Sequence, residues 1–344
     1  MKELTDLGEL PEQYSRTIGP EQHNFLLYDN GARNDKRILV FYTFEGLQKL
    51  STAETFYMDG TFFMAPRIFK QIYIIRVPLN EGAITVVYAF LPSKSRATYE
   101  ELFQVLVDKC TENDLELHVQ NIVTDFEDAV LRAVVAVFGR HIHTKGCFYH
   151  LTQATWRKIQ SLGLAANYTE NEEFRTFCGM LDGLAFLPIE EVTEGMAYLK
   201  QHVPDDPAGA NELLTYFDQT YVTGTFRNIA AANNASNDSL PTLRLRPVPP
   251  MFPPPVWNVF DATLRNDPRS NNLCEGWNNK FYNLVGHYHP SIWRAITWMQ
   301  KEQEAVSTVL HRDALGQRHR RKVRTCHVKM QERLRNLCLG RQSN

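Results

Sequence analysis

Between residues 56 and 138 the hydrophobic period of the chain changes twice, and that change limits the folds open to it. Residues 56–63, 71–77 and 83–91 are short runs rich in Ile, Val, Tyr and Phe, split by Ala65 and Pro66 and then by Asn80, Glu81 and Gly82. This is the pattern of three strands joined by turns. Tyr99, Leu102, Phe103, Leu106 and Cys110 then recur at helical spacing, with Thr98 and Glu101 related as a capping box. Residues 121–125 read as a further short strand ending in acids, and 128–138 as an apolar helix closed by Gly139. A meander that crosses over through a helix can lay its next strand parallel. The segment therefore specifies a mixed α/β sheet with helices on its faces.

The flanks extend this reading. Residues 24–29 and 37–42 alternate around the turn-forming Asp29, Asn30 and Gly31, a hairpin pattern, and 141–147 reads as another strand followed by a helix at 151–159. Residues 161–222 carry only helical periodicity. Residues 230–239 turn to Ala, Asn and Ser, and seven prolines fall between Pro241 and Pro255, which predicts an exposed linker. Helices are expected again at 257–264, 271–285 and 291–309. The expected organisation is a lead segment at 1–50, a first core part at 51–160, and an α-helical insertion with Pro-rich linker at 161–257. A second core part at 258–300 and a basic helical tail at 301–344 complete it.

With 43% hydrophobic and 22% charged residues, the chain can build a core, which excludes wholesale disorder and fibrous architectures. No apolar run approaches the roughly 20 residues of a membrane span. The start, Met1, Lys2, Glu3 and further acids, lacks a signal-peptide core. Synthesis in the cytosol is expected, with the nucleus accessible and no membrane partner. Six cysteines without a Cys-x-x-Cys pair read as reduced thiols. The net charge of −2 hides an asymmetry, because residues 311–344 hold ten Lys or Arg against two acids. Arg318, Arg320, Arg321, Lys322 and Arg324 are the densest part of this segment, a candidate for phosphate contact; a solvated helix or a localisation signal is the alternative.

Two carboxylates do not suit a structural role. Asp59 interrupts an aromatic strand, where an ionised group costs several kcal/mol unless it is compensated. Asp125 ends the short strand at 122–124. If the two strands are neighbours, both side chains converge near the sheet surface, an arrangement tolerated chiefly around a divalent cation. The alternatives are a turn at Asp59–Gly60 and an N-cap at Asp125. Glu275 adjoins the apolar stripe of the helix at 271–285, formed by Cys274, Trp277, Phe281, Leu284 and Val285, and reads either as a third acid facing the sheet or as a solvated helix residue. Glu127 and Asp128 are nearby decoys for Asp125. Cys147 and His150 lie one helical turn apart and could form half a zinc site, with His287 and His289 supplying the rest; buried packing is the alternative.

The segments Tyr-Met-Asp-Gly-Thr-Phe around Asp59, Ile-Val-Thr-Asp-Phe-Glu around Asp125, Gly-Cys-Phe-Tyr-His at 146–150 and Asn-Leu-Cys-Glu-Gly-Trp-Asn at 272–278 together resemble the MULE (Mutator-like element) transposases. The resemblance spans roughly residues 24–299. These are DDE transposases, so the resemblance implies an RNase H-like mixed sheet flanked by helices, interrupted by an all-α insertion before the last catalytic helix. It implies Asp59, Asp125 and Glu275 as the catalytic, metal-binding triad for two Mg²⁺ or Mn²⁺ ions, and Cys147 with His150 as the Cys-x-x-His motif of the superfamily. The implied activity is metal-dependent DNA strand cleavage and strand transfer in the nucleus. Its partner would be double-stranded DNA, both transposon ends and target, with a homo-oligomer as an expected assembly. Two rivals stay open: a non-catalytic DNA- or chromatin-binding protein that keeps the fold, and a nuclease without strand transfer.

Overall fold

The computed structural model describes residues 4–229, 244–267, 269, 272–317 and 325–342. The chain divides into two compact units, Met1–Lys145 with Ser270–Arg324, and Gly146–Arg269 with Thr325–Asn344. In chain order come the single turn α1 (Glu12–Ser15), strands β1 (Leu26–Asp29) and β2 (Leu39–Phe41), and helix α2 (Phe44–Thr52). The meander β3 (Thr55–Thr61), β4 (Gln71–Leu79) and β5 (Gly82–Leu91) follows, then α3 (Arg96–Glu112), β6 (Asn121–Thr124), α4 (Asp128–Val137) and β7 (His143–Gly146). Helices α5 (Phe148–Ser161), α6 (Ala165–Glu170), α7 (Glu172–Gly183), α8 (Val192–Gln201) and α9 (Ala210–Phe217) build the second unit. It continues through strands β8 (Thr225–Ile229) and β9 (Arg244–Val248) and the short helices α10 (Pro254–Trp257) and α11 (Phe260–Arg265). Helices α12 (Asn272–Val285) and α13 (Ile292–Ala314) belong to the first unit, and α14 (Thr325–Gln342) to the second.

Seven strands form one mixed sheet in the order β1-β2-β5-β4-β3-β6-β7. The β1–β2 hairpin and the meander pair antiparallel, whereas β6 lies parallel to β3 after the α3 crossover. Because side chains alternate across a strand, each strand feeds two cores. Phe56 and Met58 face one side with Tyr73, Ile75, Leu47, Tyr99, Leu102, Phe103 and Val134. Tyr57, Ile72, Ile74, Tyr88 and Val123 face the other, where Cys274, Trp277, Phe281 and Val285 of α12 and Ile296 and Met299 of α13 cover them. Burial of each such large side chain contributes about 1.5–3 kcal/mol. The architecture is the mixed, helix-flanked sheet that the sequence pattern implies, and it is consistent with the RNase H-like fold that the resemblance implies. No helix of the described residues is long and apolar enough to cross a membrane.

Two local expectations need correction. The N-cap of α3 is Ser95, whose hydroxyl accepts the Thr98 backbone N–H at 3.3 Å. Glu101 instead accepts hydrogen bonds from Tyr28 Oη (3.0 Å) and Asn30 Nδ2 (2.8 Å), so the charge that would have closed a capping box fastens the helix to the first hairpin. The Pro-rich stretch is also more than an exposed linker. Arg244–Val248 pairs with Thr225–Ile229, and Pro254 opens α10, where a missing N–H is harmless. Trp257 is fully buried and donates Nε1–H to Tyr221 O and Phe252 O at 2.9 and 3.0 Å. The second unit otherwise packs by helical stripes, among them Phe174, Phe177, Leu181, Met196, Leu213 and Phe217.

Candidate functional site

Asp59 lies inside β3, paired with Ile74, and is 4% exposed. Its strand continues through Gly60, paired with Tyr73, so the turn reading of Asp59–Gly60 does not hold. The parallel register sets Thr55 beside Asn121, Phe56 beside Ile122 and Tyr57 beside Val123. Carried two residues further, that register places Asp59 beside Asp125, on the sheet face that α12 covers. A carboxylate oxygen of each lies within 4.8 Å of the other. Two full charges at that separation repel by roughly 3 kcal/mol at an effective dielectric of ~20.

The surroundings of Asp59 are donors. The Gly60 backbone N–H bonds Oδ1 at 2.9 Å, and Asn278 Nδ2 of α12 donates to Oδ2 at 2.7 Å. The remaining amide oxygen of Asn278 is buried and has no hydrogen-bond partner among the described residues. An oxygen acceptor without a donor, on a side chain already touching one of two adjacent carboxylates, fits the oxygen-rich donor set of a hard divalent cation.

Asp125 is half-buried and follows the last residue of β6. It is not the N-cap of α4; that position belongs to Glu127, which makes no side-chain cap bond. The two neighbouring acids are engaged elsewhere. Glu127 accepts from Tyr99 Oη at 2.8 Å and pairs with Lys94 at 2.6 Å, while Asp128 pairs with Arg132 one turn along α4 at 2.8 Å. Lys94 also lies 4.2 Å from the centre of the Phe62 ring. Gln71 Nε2 donates to Tyr99 Oη at 2.7 Å, so a chain Gln71–Tyr99–Glu127–Lys94 underlies the strand ends. Burial, with Glu127 close by, pushes the Tyr99 hydroxyl well above its ordinary pKa and keeps it a donor.

Helix α12 is fixed at several points within the first unit. Arg76 of β4 donates to the carbonyls of Leu273 and Ala83, Lys280 pairs with Glu302 at 3.3 Å, and Arg294 donates to Val285 O at 2.7 Å. Trp277 is 2% exposed and stacks on Phe281 with centroids 4.7 Å apart, so it is a core residue, as its place on the apolar stripe implies. Glu275 occupies α12 three residues before Asn278. Its side chain lies outside the described residues, as do Arg318, Arg320, Arg321, Lys322 and Arg324.

Cys147 and His150 belong to the second unit, Cys147 fully buried at the N-terminal boundary of α5 and His150 half-buried in its first turn. His287 and His289 turn Nδ1 to the carbonyls of Tyr288 (3.1 Å) and Ala65 (3.0 Å). Among the described residues, none of Cys147, His287 and His289 belongs to a group of three side chains close enough to share an ion.

Asn278 closes the 272–278 segment that carries the resemblance, and the sequence pattern gives it no task. Its spacing of three from Glu275, one helical turn, is the signal that could have linked it to the site.

Residues 55–154, from the start of β3 into α5, match the family model of the MULE transposase domain. A search of curated proteins finds no match to the chain. The matched span contains Asp59, Asp125, the α3 crossover between their strands and the Cys147–His150 turn. Over this span the chain is similar to the MULE transposase domain.

Proposed function

We propose that the protein is a DDE transposase that cleaves DNA strands and joins them to target DNA with the help of divalent metal ions. The observation that carries this reading is the pair of carboxylate oxygens within 4.8 Å, on Asp59 inside β3 and on Asp125 just after the parallel neighbour strand β6. Asp59, Asp125 and Glu275 would hold Mg²⁺ or Mn²⁺, two ions in all, with the Asn278 amide oxygen as a neighbouring acceptor. Bound there, such ions supply an activated hydroxyl nucleophile and stabilise the leaving oxygen of an in-line displacement at phosphorus.

The chain's own part is preorganisation. Gly60 N–H and Asn278 Nδ2 fix the rotamer of Asp59. The β3–β6 ladder fixes the backbone that carries Asp125, and the Arg76 clamp on Leu273 fixes the start of the helix bearing Glu275. The Tyr99–Lys94 bonds keep Glu127 out of competition. Double-stranded DNA is the partner and the nucleus the place of action, with the basic residues at 318–324 as phosphate contacts.

Plasmid nicking tests the reading. The purified protein should relax supercoiled DNA with Mn²⁺ or Mg²⁺, and Asp59→Asn or Asp125→Asn should reduce nicking to background at unchanged fold. Nicking unchanged in either variant overturns the assignment. DNA binding without nicking by the unmodified protein would leave a binding protein of transposase fold.

A further inference from the structure

The second unit carries a ribbon that the proposed chemistry gives no task. β8 and β9 pair Thr225 with Val248, Phe226 with Pro247 and Arg227 with Arg246. Residues opposite each other in an antiparallel pair project to one face. Arg227 and Arg246 thus stand side by side on one face, and Phe226, Pro247 and Leu245 occupy the other. Both arginines are exposed, and among the described residues neither pairs with a carboxylate. Two guanidinium groups directly opposed destabilise a strand pair. The hydrophobic effect does not repay them, since Phe226 is 67% and Leu245 60% exposed. A two-stranded ribbon on its own is marginal at best.

Its root, by contrast, is fixed. Gly224 has φ +82°, and a Cβ there would come within 2.1 Å of Val248 O, so the base of the ribbon closes only on glycine. Just beyond, Phe252 N–H donates to Thr220 O at 3.0 Å, and the buried Trp257 indole holds Tyr221 and Phe252 by their carbonyls. The ribbon therefore projects exposed, basic and apolar surface from a rigid base. Pro247, with no N–H, and the flanking arginines make it a poor template for an added strand. A polyanion with a groove wide enough for two strands fits instead, and the major groove of duplex DNA, ~12 Å across, admits such a ribbon.

We propose that the β8–β9 ribbon is a DNA-contacting element in which Arg227 and Arg246, which have no part in the proposed chemistry, neutralise backbone phosphates of duplex DNA. The inference rests on the DNA-processing reading above. The 344-residue chain is titrated in EDTA, at a series of salt concentrations, against a fluorescent duplex of random sequence several helical turns long. Replacing both residues (Arg227→Ala with Arg246→Ala) should lower the slope of log K against log salt by about 1.8 and weaken binding roughly 10- to 30-fold near physiological salt. The paired Lys substitutions should keep the slope, because charge and not side-chain shape is read, and thermal melting should match the unmodified protein in both variants. An unchanged slope in the Ala variant, with binding and nicking by the unmodified protein intact, overturns this inference alone and would leave the ribbon to an acidic protein partner. Failure of the unmodified protein to bind the duplex overturns the ribbon assignment and the DNA-processing reading together.

Discussion

Asp59 is a carboxylate only 4% exposed, beside a second carboxylate, with a backbone N–H and one amide among its donors. Asp59→Asn removes one charge of a repelling pair, so its melting temperature should be equal to or above that of the unmodified protein while nicking is lost. A large drop in melting temperature would mean that Asp59 serves folding. Glu127→Gln makes the opposite prediction. Its partners are Tyr99 and Lys94, so the substitution should cost about 1 kcal/mol of stability and leave nicking within about tenfold. If Glu127→Gln alone abolished nicking, the wrong carboxylate would have been assigned. Gly60 is the third residue with a sharp expectation. A Cβ there would lie 2.2 Å from Oε1 of Gln71, a fully buried side chain held by its Nε2 bond to Tyr99, so Gly60→Ala should destabilise by about 1–3 kcal/mol in chemical denaturation.

At the scale of elements, the strands, the crossover and the long helices were legible because their hydrophobic periods are strong and agree with the turn chemistry around them. The parallel β3–β6 neighbour relation was legible only as a condition, since periodicity tells which face a residue takes and not which strand lies alongside. The N-cap at Ser95 was missed because Thr98 and Glu101 satisfy a local rule. A long-range partner, the Tyr28–Asn30 corner, claimed Glu101 instead. The β8–β9 ribbon was hidden by its prolines, which weigh against a strand in the middle of a sheet but not in an isolated pair. The side-chain arrangement of the α7–α5 packing was not visible in the pattern either. There, burial pushes the Asp182 carboxyl up to about 6, with the Thr155 hydroxyl at 3.0 Å acting in the opposite sense. A carboxyl raised in the folded state stabilises below its unfolded pKa, ~4, and loses that contribution as pH rises through about 6. Asp182→Asn should therefore raise the melting temperature at neutral pH and leave it unchanged near pH 4; equal shifts at both would contradict the burial argument.

At the scale of the molecule, a chain of net charge −2 keeps its basic density in residues 311–344 and on the β8–β9 ribbon, while its paired acids, Asp59 and Asp125, belong to the neighbouring chain segments of β3 and β6. Not all of the basic C-terminal stretch is a simple tail. Leu310 of α13 is buried, and α14 docks within the second unit through buried Cys338 and an Arg335 Nε bond to Leu264 O at 3.0 Å. Truncation would strip packed structure, so substitution of Arg318, Arg320, Arg321, Lys322 and Arg324 by Gln is the cleaner probe of phosphate contact, and it should flatten the salt dependence of DNA binding without abolishing nicking. The claim on which the whole account turns is that Asp59 and Asp125 jointly hold a divalent cation. Electron paramagnetic resonance of Mn²⁺ added to the DNA-free protein tests it without relying on turnover. The account predicts bound Mn²⁺ in the unmodified protein and in Glu127→Gln, and its loss in Asp59→Asn and in Asp125→Asn; equal binding by all four proteins would contradict it.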